Sequence, residues 1–234
     1  MSETLIMKLL VFRTLWGVLA ETDGDKAGSP VLDLEDALKE IARLGYDGVE
    51  IPLKCILFLG KEKFKSLLAK YNLKVITMIF TDGPVAPGEG IVFGGPFPGF
   101  TAPSQPGECD QEKLVETHLK VFKEQVEAAQ EFSPVLVNTH TLKDYFTQEM
   151  AEKFFTEALA WQETNNYRVL HESHRKRFLH SPWVTREFVK KFPSIKMVAD
   201  LSHWVNVAET NASDPDLTAV IERNAGKFGH THCR

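Results

Sequence analysis

The stretch "YRVLHESHRKRFLHSPWVTREFVKKFPSIKMVAD", Tyr167–Asp200, decides the fold. It opens on a short apolar run that ends in Glu172. A polar loop follows, then a helix whose start is marked by Ser181 as N-cap and Pro182 at the first helical position. A second apolar run, Ser194–Asp200, ends in another carboxylate. Strand, helix and strand in so short a span form a βαβ unit, which makes the two strands parallel neighbours.

The same alternation extends in both directions. Upstream, strands are predicted at Lys8–Gly17, Tyr46–Leu53, Leu73–Phe80 and Pro134–His140. Helices are predicted between them, the first carrying Leu34, Leu38, Ile41 and Leu44 at helical spacing and stopped by Gly45. Downstream, a helix from Asp214 leads to a seventh strand, Lys227–His232. Strands alternating with helices predict a parallel sheet covered on both faces. The expected class is α/β, a TIM-type (β/α) barrel with seven of its eight strands in this chain, read as one domain over 1–234 and incomplete at its C-terminal end. Neither GxGxxG nor GxxxxGK[ST] occurs, which weakens an open nucleotide-binding sheet. Residues 81–110, dense in Gly and Pro, read as a long loop insertion leaving the carboxyl end of the third strand, the side on which barrels place their sites.

Composition narrows the function. The 234 residues are 43% hydrophobic and 25% charged, which suits a globular chain with a buried core. A net charge of −5 argues against binding to a nucleic-acid backbone. Three scattered cysteines form neither a disulfide framework nor a CxxC, so a reducing, cytoplasmic setting is expected. The apolar N-terminal run is broken by Lys8 and Arg13 and is too short to span a membrane.

The polar residues collect at strand ends. Glu50 lies near the end of the second strand, Asn138 and His140 close the fourth, Glu172 the fifth, Asp200 the sixth, and His230 and His232 the seventh. Strand parity places Glu172 on the face of Leu170 and turns His171 to the other, helix-covered face. His203 follows Asp200 by three residues. Each residue has an ordinary reading taken alone: Glu172 paired with Arg175, Asp200 as a cap, Arg175 to Arg177 as a solvated basic run. Their shared location at one end of the sheet favours a ligand site, and Glu, Asp and His together suit Mn²⁺, Mg²⁺, Co²⁺ or Zn²⁺.

The segments "GYDGVEIPL", "LHESHRKRFLHSPWVTREF", "VADLSHWVNVAE" and "GHTHCR" resemble the xylose isomerase-like barrel superfamily of sugar phosphate isomerases and epimerases. The resemblance implies a divalent metal held by Glu172, Asp200 and His232, with a further glutamate after an eighth strand that has no counterpart here. It implies that Glu172 moves a proton through an enediolate and that His203 touches a substrate oxygen. His174, Arg175, His140 and Glu50 are the expected substrate contacts. The expected activity is a metal-dependent isomerase or epimerase acting on a small sugar or hydroxy-ketone. A lyase or dehydratase on the same barrel, and a truncated barrel that binds ligand without turnover, are the alternatives. No nucleic-acid or membrane partner is expected, and homo-oligomerisation is left open.

Overall fold

The computed structural model describes residues 9–15, 18, 33–82, 111–211 and 213–233. Most of the Gly/Pro-rich insertion (83–110), parts of the first expected strand, Cys109 and Arg234 lie outside the described residues. The chain divides into two compact units, taken here in turn.

Among the described residues the first unit holds 9–15, 18, 33–77 and 132–135. It contains β1 (Phe12–Thr14), α1 (Leu34–Arg43), β2 (Gly48–Pro52), α2 (Leu53–Leu59), α3 (Lys61–Tyr71) and the first half of β3 (Lys74–Phe80). Helix α1 buries Leu34, Ala37, Leu38 and Ile41 along one stripe. Leu44, expected on that stripe, is 57% exposed. The helix ends one residue earlier, and Gly45 turns the chain with a φ of +82° that favours glycine, so Leu44 leaves the apolar face.

Helix α2 was not expected, because the strand was read through to Leu53. Pro52, at φ −61°, lacks the N–H that would continue a ladder and instead precedes the first helical turn. The run "LKCILFL" is too short and too uniformly apolar to show a 3.6-residue period. It buries Cys55, whose thiol burial pushes up to about 12, far from a reactive thiolate.

The second unit holds 78–82, 111–131, 136–211 and 213–233 of the described residues. Its elements are the end of β3, α4 (Gln111–Gln130), β4 (Leu136–His140), α5 (Gln148–Thr164), β5 (Val169–Glu172), α6 (Pro182–Lys191), β6 (Met197–Ala199), α7 (Leu201–Ala208), α8 (Pro215–Asn224) and β7 (Phe228–Thr231). All seven expected strands are present, mostly shorter than expected, and in the sheet they follow chain order from β1 to β7. The pairings β1–β2, β4–β5, β5–β6 and β6–β7 are parallel. This is the expected α/β, TIM-type arrangement.

Helix α7 was also not expected. It begins directly after Asp200 and buries Trp204, whose Nε1 donates to the Leu179 carbonyl at 3.1 Å. Pro182 opens α6 as expected; the Ser181 carbonyl, not its hydroxyl, accepts from Thr185 N at 3.0 Å. Among the described residues no helix is long and apolar enough to cross a membrane.

Aromatic rings fill the space between β5 and the helices α4, α5 and α6. Phe122, Phe154, Phe155, Phe178 and Phe188 pack edge-on or tilted at centroid distances between 4.8 and 6.4 Å. His171 joins this cluster, 4.8 Å from Phe155, with its Nδ1 2.7 Å from Thr141 Oγ1. His118 of α4 is equally buried, its Nδ1 2.9 Å from Thr81 Oγ1 and its ring edge-on to Phe146. Burial holds both imidazoles neutral and lowers each to about 3.

Two outcomes follow. A Cβ at Gly48 would overlap the Lys74 carbonyl oxygen and lie 2.5 Å from the Phe12 ring. Gly48→Ala should therefore cost about 1–3 kcal/mol in a urea titration through overpacking, and an unchanged midpoint would contradict the close approach. The histidines set an acid window. Between pH 6.5 and about 3 the unfolded chain takes up protons that native His118 and His171 refuse. Stability should thus be fully present above pH 6.5 and fall as pH drops, by about 1.4 kcal/mol per pH unit for each ring. Carboxylates lowered in the native state add to this loss only once the unfolded ones protonate, below about 4.5. Measured from pH 6.5 to 5, His118→Gln should show a slope shallower by about one proton, whereas a slope equal to wild type would refute the assignment.

Candidate functional site at the ends of β4 to β7

Glu172, the last residue of β5, is the hub of the second unit's polar cluster. It is 2% exposed, and residues at the ends of β4 and β7 meet its carboxylate. Asn138 of β4 donates through Nδ2 to Oε2 at 2.7 Å. His140 Nε2, at the end of the same strand, lies 2.8 Å from Oε2. On the other side His232 Nδ1, just past β7, lies 3.4 Å from Oε1. The same His232 nitrogen is 3.5 Å from Asp200 Oδ2.

The sheet explains this convergence. In the β4–β5 register Asn138 stands opposite Leu170, and in β5–β6 Glu172 stands opposite Val198. Residues two apart along a strand share a face, so Leu170 and Glu172 point one way while His171 turns back among the phenylalanines. A register shift between Met197 and Val198 sets β7 against β6, and the His232 amide donates to the Ala199 carbonyl at 3.0 Å. The chain is thereby carried one residue beyond the strand, where the His232 side chain meets both carboxylates.

Electrostatics at Glu172 run against burial. Desolvation alone would raise its carboxyl, but the adjoining His140, and then His232, hold it well below the usual range. Asp200, fully buried, accepts from Ser202 Oγ at 2.5 Å and faces His203 Nε2 at 3.5 Å. Three imidazoles form a row: His140 and His174 are 4.5 Å apart, His174 and His203 3.9 Å. Burial lowers His174 to about 3, so its ring is neutral. Wholly within the second unit, two sets of donor atoms each lie within 4.8 Å of one another: Glu172, Asp200 and His203; and His140, Glu172 and His174.

The remaining candidates fall elsewhere. Arg175 is exposed in the loop after β5. Glu50 belongs to the first unit, buried near the end of β2. Arg177, part of the run read as solvated, is 6% exposed and is a correction to that reading. Its Nη1 lies 2.9 Å from Asp82 Oδ1 and donates to the Leu142 carbonyl at 3.2 Å, and its guanidinium covers the Phe80 ring. Asp82 also pairs with Lys143. Burial would raise the Asp82 carboxyl, yet Arg177 and Lys143 together bring it below the ordinary value. Phe80 in turn packs 4.5 Å from His140. Asp82 thus ties the loops after β4 and β5 to the end of β3. It lay at the start of a stretch read as structureless, so nothing in the sequence marked it; Lys143 and Arg177, both cations after strand ends, were the available signal.

Comparison with known proteins gives a consistent fold. No curated protein sequence matches the chain. Among solved structures, a D-allulose 3-epimerase from Methylomonas sp. in complex with D-allulose superposes with a TM-score of 0.63 at 14% identity, covering 95% of this chain and 71% of its own. A probable 3-DHS dehydratase from Bacillus anthracis gives 0.60 at 14% identity, over 96% and 72%. A protein from Mycobacterium smegmatis in complex with magnesium gives 0.59 at 14% identity, over 96% and 74%. Identities this low establish a shared fold and nothing further. Residues 38–234 match the family described as xylose isomerase-like TIM barrel, and the chain belongs to that family.

Proposed function

We propose that Glu172, Asp200 and His232 form a divalent-cation site, and that the protein is an isomerase or epimerase that moves a proton beside the carbonyl of a small sugar or hydroxy-ketone. One observation carries this reading. Two buried carboxylates turn toward a single imidazole nitrogen, at 3.4 and 3.5 Å. Two carboxylates removed from water are costly unless paired, and a cation between them offsets that cost. The donors, hard oxygens and one imidazole nitrogen, suit Mn²⁺, Mg²⁺, Co²⁺ or Zn²⁺.

A bound ion would supply Lewis acidity that polarises a carbonyl and acidifies the neighbouring C–H. The chain's own residues do the rest. Glu172 stays ionised, because its carboxyl is held low, and is available to accept a proton. Asn138 fixes its orientation through Oε2. His203, beside Asp200, is placed to hold a proton at a substrate oxygen. Arg175, exposed in the adjoining loop, is available to a substrate phosphate or carboxylate. The similar fold of a D-allulose epimerase and of a magnesium-bound protein agrees with this reading.

The test has two arms. Metal analysis of purified protein should show less bound metal in Glu172→Gln and in Asp200→Asn than in wild type; equal metal in all three would sink the site. Incubation with a panel of small ketoses and aldoses and Mn²⁺ in D₂O should place deuterium next to the carbonyl, with Glu172→Gln slower by about 100-fold or more. Release of water from the substrate, without exchange or isomer, would assign a dehydratase instead.

A further inference from the structure

Three basic residues follow β5, and they part ways. Arg175 and Lys176 are exposed, while Lys176 takes a left-handed turn, φ +63°, that brings Arg177 back inside. We infer that Arg177 is a positioning residue: it fixes the His140 ring beside Glu172, and through it the orientation of the carboxylate proposed above to move the proton. The inference rests on that reading of Glu172. Three sets of contacts carry it.

The first set holds the neighbours of the His140 ring. Phe80 and His174 each have their ring centroid 4.5 Å from it. Arg177 holds both. Its guanidinium covers Phe80, with Cζ 5.6 Å from the ring centroid, and its amide donates to the His174 carbonyl at 3.1 Å. The second set holds the turn after His140. Leu142 is a buried leucine at φ +55°, a conformation that persists only where the surroundings impose it. Its amide donates to Thr81 Oγ1 at 2.7 Å, and its carbonyl accepts from Arg177 Nη1 at 3.2 Å. The Thr81 amide in turn donates to the His140 carbonyl at 3.3 Å. The third set holds Arg177 itself. Its Nη1 is 2.9 Å from Asp82 Oδ1, and Gln125 of α4 anchors the Phe80 backbone, donating to its carbonyl at 2.6 Å. A buried ion pair adds little net stability, because desolvation offsets the attraction, so stability alone does not account for it.

The consequence lies at Glu172. His140 Nε2 stands 2.8 Å from its Oε2, the oxygen to which Asn138 also donates. A His140 ring released from these restraints shifts against that oxygen, and a misplacement of about 1 Å in a supporting group costs up to about 100-fold in rate. Arg177 thus acts through His140 and not on substrate. Lysine in its place keeps a cation for Asp82. It lacks the flat guanidinium that serves Asp82, the Leu142 carbonyl and the Phe80 face together.

The His140 ring reports on its own placement. Its protons lie beside two aromatic rings and carry their ring-current shifts, which NMR of the full chain reads, with His140→Gln as the assignment control. In Arg177→Lys the His140 signals should move or broaden while far-UV circular dichroism stays that of wild type. Asp82→Asn keeps the arginine but removes its charged partner. It should move the same signals by less, and it serves as the second variant if Arg177→Lys does not fold. In the deuterium-exchange assay with Mn²⁺, Arg177→Lys should lower kcat by about 10-fold or more and leave KM near the wild-type value, the split expected of a positioning residue. His140 signals unchanged in both variants overturn the assignment. Moved signals with a wild-type kcat also overturn it and leave Arg177 a structural residue. Moved signals in a protein whose wild type exchanges no deuterium uphold the hold of Arg177 on His140 and remove the reaction proposed for Glu172.

Discussion

A charged carboxylate at the end of a central strand is the constraint around which the second unit is arranged. Glu172 has lost nearly all contact with water, a loss that costs several kcal/mol unless partners replace the solvent. The partners come from other strand ends: Asn138 and His140 from β4, His232 from beyond β7, with Asp200, just after the intervening β6, facing the same His232. None of these residues is near another in sequence, apart from Asn138 and His140. Only a parallel sheet in chain order brings them to one end. Fold and site are therefore one fact: the register that stacks β4, β5 and β6 is the register that collects these side chains.

The opposite face of β5 shows the complementary half. His171 differs from Glu172 by one position and by every aspect of its surroundings, seated among Phe122, Phe155 and the Thr141 hydroxyl and held neutral by burial. The aromatic packing on that side fixes the strand against α4, α5 and α6. The polar side can then be paired without bearing the load of the core. The Asp82 clamp adds a further restraint, joining Lys143 and Arg177 from the loops after β4 and β5.

Much of this was readable in the residues. The period-2 and period-3.6 patterns located all seven strands, and the parity of Leu170, His171 and Glu172 separated the two faces of β5. What escaped were features that leave no periodic trace. Helix α2 hides in a short run after Pro52 that is apolar except for Lys54, and α7 starts in the residue after a strand-end carboxylate. Arg177 lies in a basic run whose ordinary fate is solvent, and only its tertiary partner Asp82 takes it inside. The distances that bring Asp200 and His232 together depend on a register shift between Met197 and Val198, which no one-dimensional pattern encodes.

The central claim is that the carboxylates of Glu172 and Asp200 and the His232 ring hold one divalent cation. The most direct measurement is an anomalous difference map from crystals of this chain grown with Mn²⁺. The account predicts a peak within coordination distance of Glu172 Oε1, an Asp200 carboxylate oxygen and His232 Nδ1. A map without density there, with Glu172 still held by Asn138 and His140, would contradict it.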